Sequence, residues 1–142
     1  MNRKFLSGGG SLSSIGDVPI MRVAEMYLIE AEARARAGGQ DAAAASVLFS
    51  LVSQRNPSYV LSTNTGQALI DEIMIHRRVE LWGEGFRFYD LKRLNLPLDR
   101  TGANHVPAVA VNLSVPAGEV TWEFLIPRTE LNSNNKCQQN PL

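Results

Sequence analysis

The sequence predicts a mainly α fold, with antiparallel helices first and a small irregular or β-hairpin segment at the C-terminal end. Two observations predict it. Apolar residues recur at helical spacing in successive runs between Ile20 and Leu94, and β-type composition is confined to the last third. At 142 residues the chain has the size of one domain. It therefore reads as a single domain over 1–142, with a flexible arm over 1–16, a helical part over 17–95, and loop, short strands and tail over 96–142.

The arm contains Gly8-Gly9-Gly10 among serines, a composition with little to bury and much backbone entropy to lose. Asp17 and Pro19 signal a helix start. Ile20, Ala24, Tyr27, Leu28, Ala31 and Ala35 then form one apolar face until Gly38-Gly39 ends it. Glu30 with Arg34 and Glu32 with Arg36 are i,i+4 pairs on the solvated side. Asp41 is placed to cap a second helix with Ala44, Val47, Leu48, Leu51 and Val52 inward, and Pro57 closes it. The short connection makes the pair an antiparallel hairpin. Ala33, Ala45, Phe49 and Pro57 match part of the tetratricopeptide spacing, without a second copy one period later, so the helices are tetratricopeptide-like and not a solenoid.

A third helix is expected over about Gln67–Trp82, with Ile70, Ile73, Met74 and Leu81 inward, and a short fourth over Phe86–Leu94 with Phe88, Leu91 and Leu94 on one side. Val109–Val115 and Val120–Ile126 read as strands of a hairpin turning at Pro116-Ala117-Gly118-Glu119. Pro127 opens a short turn or a single helical turn through Thr129-Glu130-Leu131, and Asn132–Asn140 is a polar tail with little apolar surface to hold it.

The densest chemistry lies between Arg77 and Arg93. On a helix Ile73, Arg77, Glu80 and Glu84 share one stripe, and Arg87, Asp90 and Arg93 follow three residues apart. Arg77, Glu80, Glu84, Arg87, Asp90 and Arg93 are thus expected to form a structural ion network. His76, Glu80 and Glu84 have the i, i+4, i+8 spacing of helical metal ligands, but Arg77 beside them opposes a cation, so no metal is expected. Glu84 and Asp90 can be imagined as a glycosidase pair. Arg87 and Arg93 around Asp90 favour the ionised carboxylate and work against the protonated acid that chemistry needs. No catalytic residue is assigned.

Other classes lack a carrier. Lys plus Arg and Asp plus Glu are 14 each and interleaved, so the footprint of a nucleic-acid binder is missing. No serine-nucleophile elbow, phosphate loop or dinucleotide fingerprint is present, and no cofactor is expected. His105 stands alone in a loop, and Trp82 and Trp122 read as packing residues. Cys137 is the single cysteine and cannot close an internal disulfide. No apolar run has the length to span a bilayer, and Met1–Gly8 is not followed by an apolar signal core.

Three blocks together resemble the C-terminal part of the SusD/RagB family of outer-membrane glycan-binding lipoproteins. The first runs from Pro19 through Arg22, Tyr27 and Leu28 to Ala31-Glu32-Ala33, with Arg55 beyond it. The second, Arg77-Arg78-Val79-Glu80-Leu81 with Glu84-Gly85, Arg87, Asp90-Leu91 and Arg93, follows the order of the family signature. The third is Phe124, Ile126-Pro127, Glu130-Leu131, Asn132 and Gln139-Asn140-Pro141. His76 stands where the family has Glu, Leu125 where it has Pro, and Leu142 where it continues with Gly-Tyr.

The resemblance implies a non-enzymatic protein at the surface of the outer membrane of Gram-negative bacteria, typically Bacteroidetes. It implies capture of an oligosaccharide or other polymer and a SusC-like TonB-dependent transporter as partner. Family members are several-fold longer and start with a lipidation cysteine, so the chain reads as the scaffold portion of a longer parent. The family's glycan contacts come mainly from variable loops, so no glycan-binding residue is carried over. The alternative from the helical hairpin alone is a tetratricopeptide-like adaptor that binds protein.

Overall fold

The computed structural model describes residues 20–106, 108–110 and 112–141. The arm over 1–16 and the start signals Asp17 and Pro19 lie outside the described residues. The fold is mainly helical, with five α-helices and one small two-stranded antiparallel sheet among the described residues. The chain divides into two compact units at the boundary between Glu84 and Gly85.

The first unit holds α1 (Val23–Ala37), α2 (Asp41–Val52) and α3 (Gly66–Glu80). Gly38 and Gly39 end α1 with φ of 76° and 69°, a conformation that side chains with a Cβ resist. Ala24, Leu28, Ala31 and Ala35 of α1 meet Ala44, Ala45, Leu48, Leu51 and Val52 of α2, and Leu69 and Ile73 of α3 close the core. The alanines let the helix axes approach, and Leu28, Leu48, Leu69 and Ile73 fill the space between them. Each of these four stabilises the unit by about 1.5–3 kcal/mol through burial.

Polar contacts show the order of the layer. Glu25 near the start of α1 meets Arg77 near the end of α3, so these two helices run antiparallel. The carboxylate of Asp41 at the start of α2 accepts the Gly66 N–H at 3.0 Å, so α2 and α3 run in the same direction. Asp41 thus ties one helix start to another, where the sequence suggested a cap for its own helix; α2 has no side-chain cap. The apolar face of α1 is also narrower than its sequence suggests. Ile20 precedes the helix and is exposed, and Tyr27 is half exposed, while Glu25 and Glu32 are buried in their stead. Val47, Ile70 and Met74 sit at the rim of the core.

The loop between α2 and α3 is held by one carboxylate. Glu72 of α3 accepts from Tyr59 Oη at 2.7 Å, Asn64 Nδ2 at 2.8 Å and Ser62 Oγ. The Tyr59 ring stands edge-on to His76 at 5.1 Å and lies against Phe49 at 6.1 Å.

The second unit holds α4 (Phe86–Arg93), β1 (Leu98–Asp99), β2 (Ser114–Val115), a 3₁₀ turn at Val120–Trp122 and α5 (Arg128–Ser133). β1 and β2 pair antiparallel with Leu98 opposite Val115 and Asp99 opposite Ser114. This corrects the expected hairpin, because the partner of Ser114-Val115 comes from before it in the chain and Val120–Trp122 is coiled. The segment closes on itself instead: the Trp122 and Glu123 N–H groups donate to the Glu119 and Val120 carbonyls at 3.0 and 2.9 Å, tight-turn bonds that withdraw these donors from a strand ladder, and Trp122 Nε1 donates to the Pro116 carbonyl at 2.7 Å. Trp122 also packs on Phe88 at 5.7 Å, and Phe88 on Phe124 at 5.2 Å.

The polar tail is pinned by side-chain amides. Gln139 Oε1 accepts the Ile126 N–H at 2.8 Å, its Nε2 donates to the Ile126 carbonyl at 3.1 Å, and Asn140 Nδ2 donates to the Phe124 carbonyl at 2.7 Å. Two side-chain amides thus act as a substitute strand on Phe124–Ile126.

Candidate functional site

The last turn of α3 carries Glu80, and Glu84 follows it in the turn past the helix. Both carboxylates are held by the same guanidinium. Arg22 Nη1 donates to Glu80 Oε1 at 2.8 Å, Nη2 to the Glu80 carbonyl at 2.8 Å and to Glu84 Oε1 at 2.8 Å, and Nε to Glu84 Oε2 at 3.2 Å. This is a forked grip that a lysine lacks the geometry to reproduce. Arg55, just past α2, adds Nε to Glu80 Oε2 at 3.1 Å and Nη2 to Glu80 Oε1 at 3.2 Å. The Glu84 side chain is only 4% exposed, and both of its oxygens lie on Arg22.

Electrostatics follow from that geometry. Burial pushes the Glu80 carboxyl upward, but the hydrogen bonds from Arg55 and Arg22 outweigh it and hold the group below its ordinary range. The hydrogen bond to Glu84 raises Arg22 above its ordinary value, against its desolvation. Glu72 behaves like Glu80: burial raises it, and Ser62, Tyr59, Asn64 and the nearby His76 bring it down. Burial, then the bond to Glu72, pushes the Tyr59 hydroxyl up. Glu80 is neutralised by two guanidinium groups and Glu72 is held by three hydrogen-bond donors of the preceding loop, which suits holding structure together and not proton transfer.

The six residues singled out from the sequence fall in both units. Arg77 is buried and reaches Glu25 at 3.6 Å. Glu80 and Glu84 share Arg22, as described. In the second unit Arg93 Nε donates to the buried Asp90 at 2.9 Å, and Arg87 is exposed. Arg22 and Arg55 were not among the six, although both stand in the blocks that carry the family resemblance. They lie 58 and 25 residues from Glu80, beyond the reach of any helical spacing. Among the described residues no three His, Cys, Asp or Glu side chains converge as for a metal ion. No described helix is long and apolar enough to cross a membrane.

One cleft of about 450 Å³ lies within the second unit, lined among others by Leu91, Lys92, Asn95, Glu119, Trp122 and Glu123. Lys92 Nζ donates across its wall to the Trp122 carbonyl and to Glu123 Oε2, both at 3.1 Å. Trp122 is itself buried and its N–H is used internally, so it shapes the wall and presents little open ring face.

The SusD family model matches residues 1–142. Among solved structures, a SusD superfamily protein from Bacteroides thetaiotaomicron is 32% identical with a TM-score of 0.74, over 87% of this chain and 27% of its own length. A SusD-like carbohydrate binding protein from Bacteroides vulgatus is 39% identical with a TM-score of 0.52, over 59% of this chain and 17% of its own. This chain therefore spans about a quarter or less of the solved relatives it matches. No curated protein matches it.

Proposed function

Because this chain belongs to the SusD family, we propose that it is the C-terminal scaffold portion of a non-enzymatic glycan-binding component of a nutrient uptake system. The observation that carries the reading is the family match over 1–142, together with a relative described as carbohydrate binding. Within that reading Arg77, Glu80, Glu84, Arg87, Asp90 and Arg93, joined by Arg22 and Arg55, serve as structural charges. The parent captures an oligosaccharide or related polymer at the surface of the outer membrane and works with a SusC-like TonB-dependent transporter. The neutralised carboxylates support a binding role over a hydrolytic one, since the described members of the set are engaged by guanidinium groups.

The test is a glycan array on a full-length parent carrying this chain, with product analysis of each bound glycan. Binding without cleavage is expected, and a TonB-dependent transporter should co-purify from outer membranes. A parent that binds no glycan and instead recovers a defined peptide would favour the tetratricopeptide-like adaptor.

A further inference from the structure

We propose that the cleft within the second unit is a binding site for a short uncharged saccharide, a contact of this chain's own that rests on the glycan-binding reading of the parent. Its walls are set before a ligand enters. The Leu96 N–H donates to the Leu91 carbonyl at 2.8 Å and the Asn95 N–H to the Lys92 carbonyl at 3.1 Å, the paired bonds that close a helix through a left-handed residue, here Asn95 at φ 51°. This turn ends α4 and places Leu91, Asn95 and Leu96 in one lining. Lys92 is strapped to the Trp122 carbonyl and to Glu123, and the Trp122 indole to the Pro116 carbonyl. A site held by its own bonds loses little freedom on binding.

The polar groups left over describe the ligand. Lys92 spends two of its three donors on Trp122 and Glu123. The exposed Asn95 amide and Glu119 carboxylate line the same cleft and have no side-chain hydrogen bond among the described residues. Glu119 and Glu123 outnumber Lys92 by one charge in this lining, which opposes an anion, and a cation would have the Lys92 ammonium as its neighbour. A neutral sugar meets both conditions. Its hydroxyls donate to the carboxylates and accept from Lys92 and Asn95, and the C–H side of its ring has Leu91 and Leu96 to lie on. The volume of about 450 Å³ falls within the roughly 300–1,000 Å³ of small-molecule sites.

Amide NMR titration of this chain tests the site, with the methyl glycosides of glucose, galactose, mannose and xylose as probes and galacturonic acid and glucosamine as charged counterparts. At least one neutral glycoside should give saturable shifts at 91–96 and 118–123. The double variant Glu119→Ala, Asn95→Gly should weaken that binding at least about 10-fold, and glycine at 95 keeps the left-handed backbone. Saturable shifts confined to other residues, no saturable shift with any neutral probe, equal affinity in the variant, or tighter binding of either charged sugar each overturns the proposal. The same titration and a glycan array on the full-length parent separate the two readings. A parent that binds glycans while its cleft amides stay unmoved sinks the site and leaves glycan capture standing. Cleft shifts with a neutral glycoside in a parent that binds no glycan on the array keep the site and sink the capture of a polymer.

Discussion

Arg22 grips both Glu80 and Glu84 with one guanidinium. Replacing it with Ala leaves Glu84 buried at 4% exposure and removes two of the bonds on Glu80. Losing a charge-assisted fork on partly buried carboxylates is expected to cost about 2–3 kcal/mol in urea unfolding. Arg34→Ala breaks an exposed i,i+4 pair with Glu30 and an exposed hydrogen bond to Gln40 and should cost about 0.5 kcal/mol or less. Equal losses for the two variants would show that the fork is not structural. Acid dependence follows from the same atoms. Glu80 and Glu72 release their protons more readily folded than unfolded, so the stability they contribute is complete above the ordinary value of 4.5 and is lost as pH falls below it through their folded values. Glu80→Gln together with Glu72→Gln should flatten the fall in melting temperature between pH 5 and pH 3, about the range in which carboxylates titrate.

At the scale of elements, two connections are held by one or two polar side chains. Glu72 gathers Tyr59, Ser62 and Asn64 from the loop before α3. Glu72→Ala should therefore raise amide exchange across 58–64 while leaving the core amides of α1 protected. Gln139 and Asn140 clasp Phe124–Ile126 in the same manner. The double variant Gln139→Ala, Asn140→Ala should expose the tail to limited proteolysis, and a tail as resistant as the wild type would refute the clasp. Helix periodicity made α1 to α4 legible to within a few residues, because a face that packs must repeat with the helix. The tail clasp was not legible. It depends on amides that reach backbone 13 and 16 residues away, and nothing in a polar run distinguishes such amides from solvated ones.

For the whole molecule, the compact unit ending at Glu84 contains its own core and its own charge lattice. A chain cut after Glu84 should keep a cooperative thermal transition, though a shallow one, because so small a unit buries only part of its apolar surface. A gradual, non-cooperative loss of helicity would show that the second unit is needed for the first to fold.

The sequence by itself determined the mainly helical class, the helical hairpin and the family, since these depend on local periodicity and on blocks read in order along the chain. The candidate site was half legible: its carboxylates were visible between Arg77 and Arg93, and the need for neutralising cations followed from their density. Only the tertiary structure decided that Arg22 and Arg55 supply those cations to Glu80 and Glu84, and that Val120–Trp122 coils where its alternation suggests a strand. Both outcomes come from contacts specified by folded geometry. A guanidinium reaches whichever carboxylate the packed helices bring to it, and an indole N–H takes whichever carbonyl lies within 3 Å.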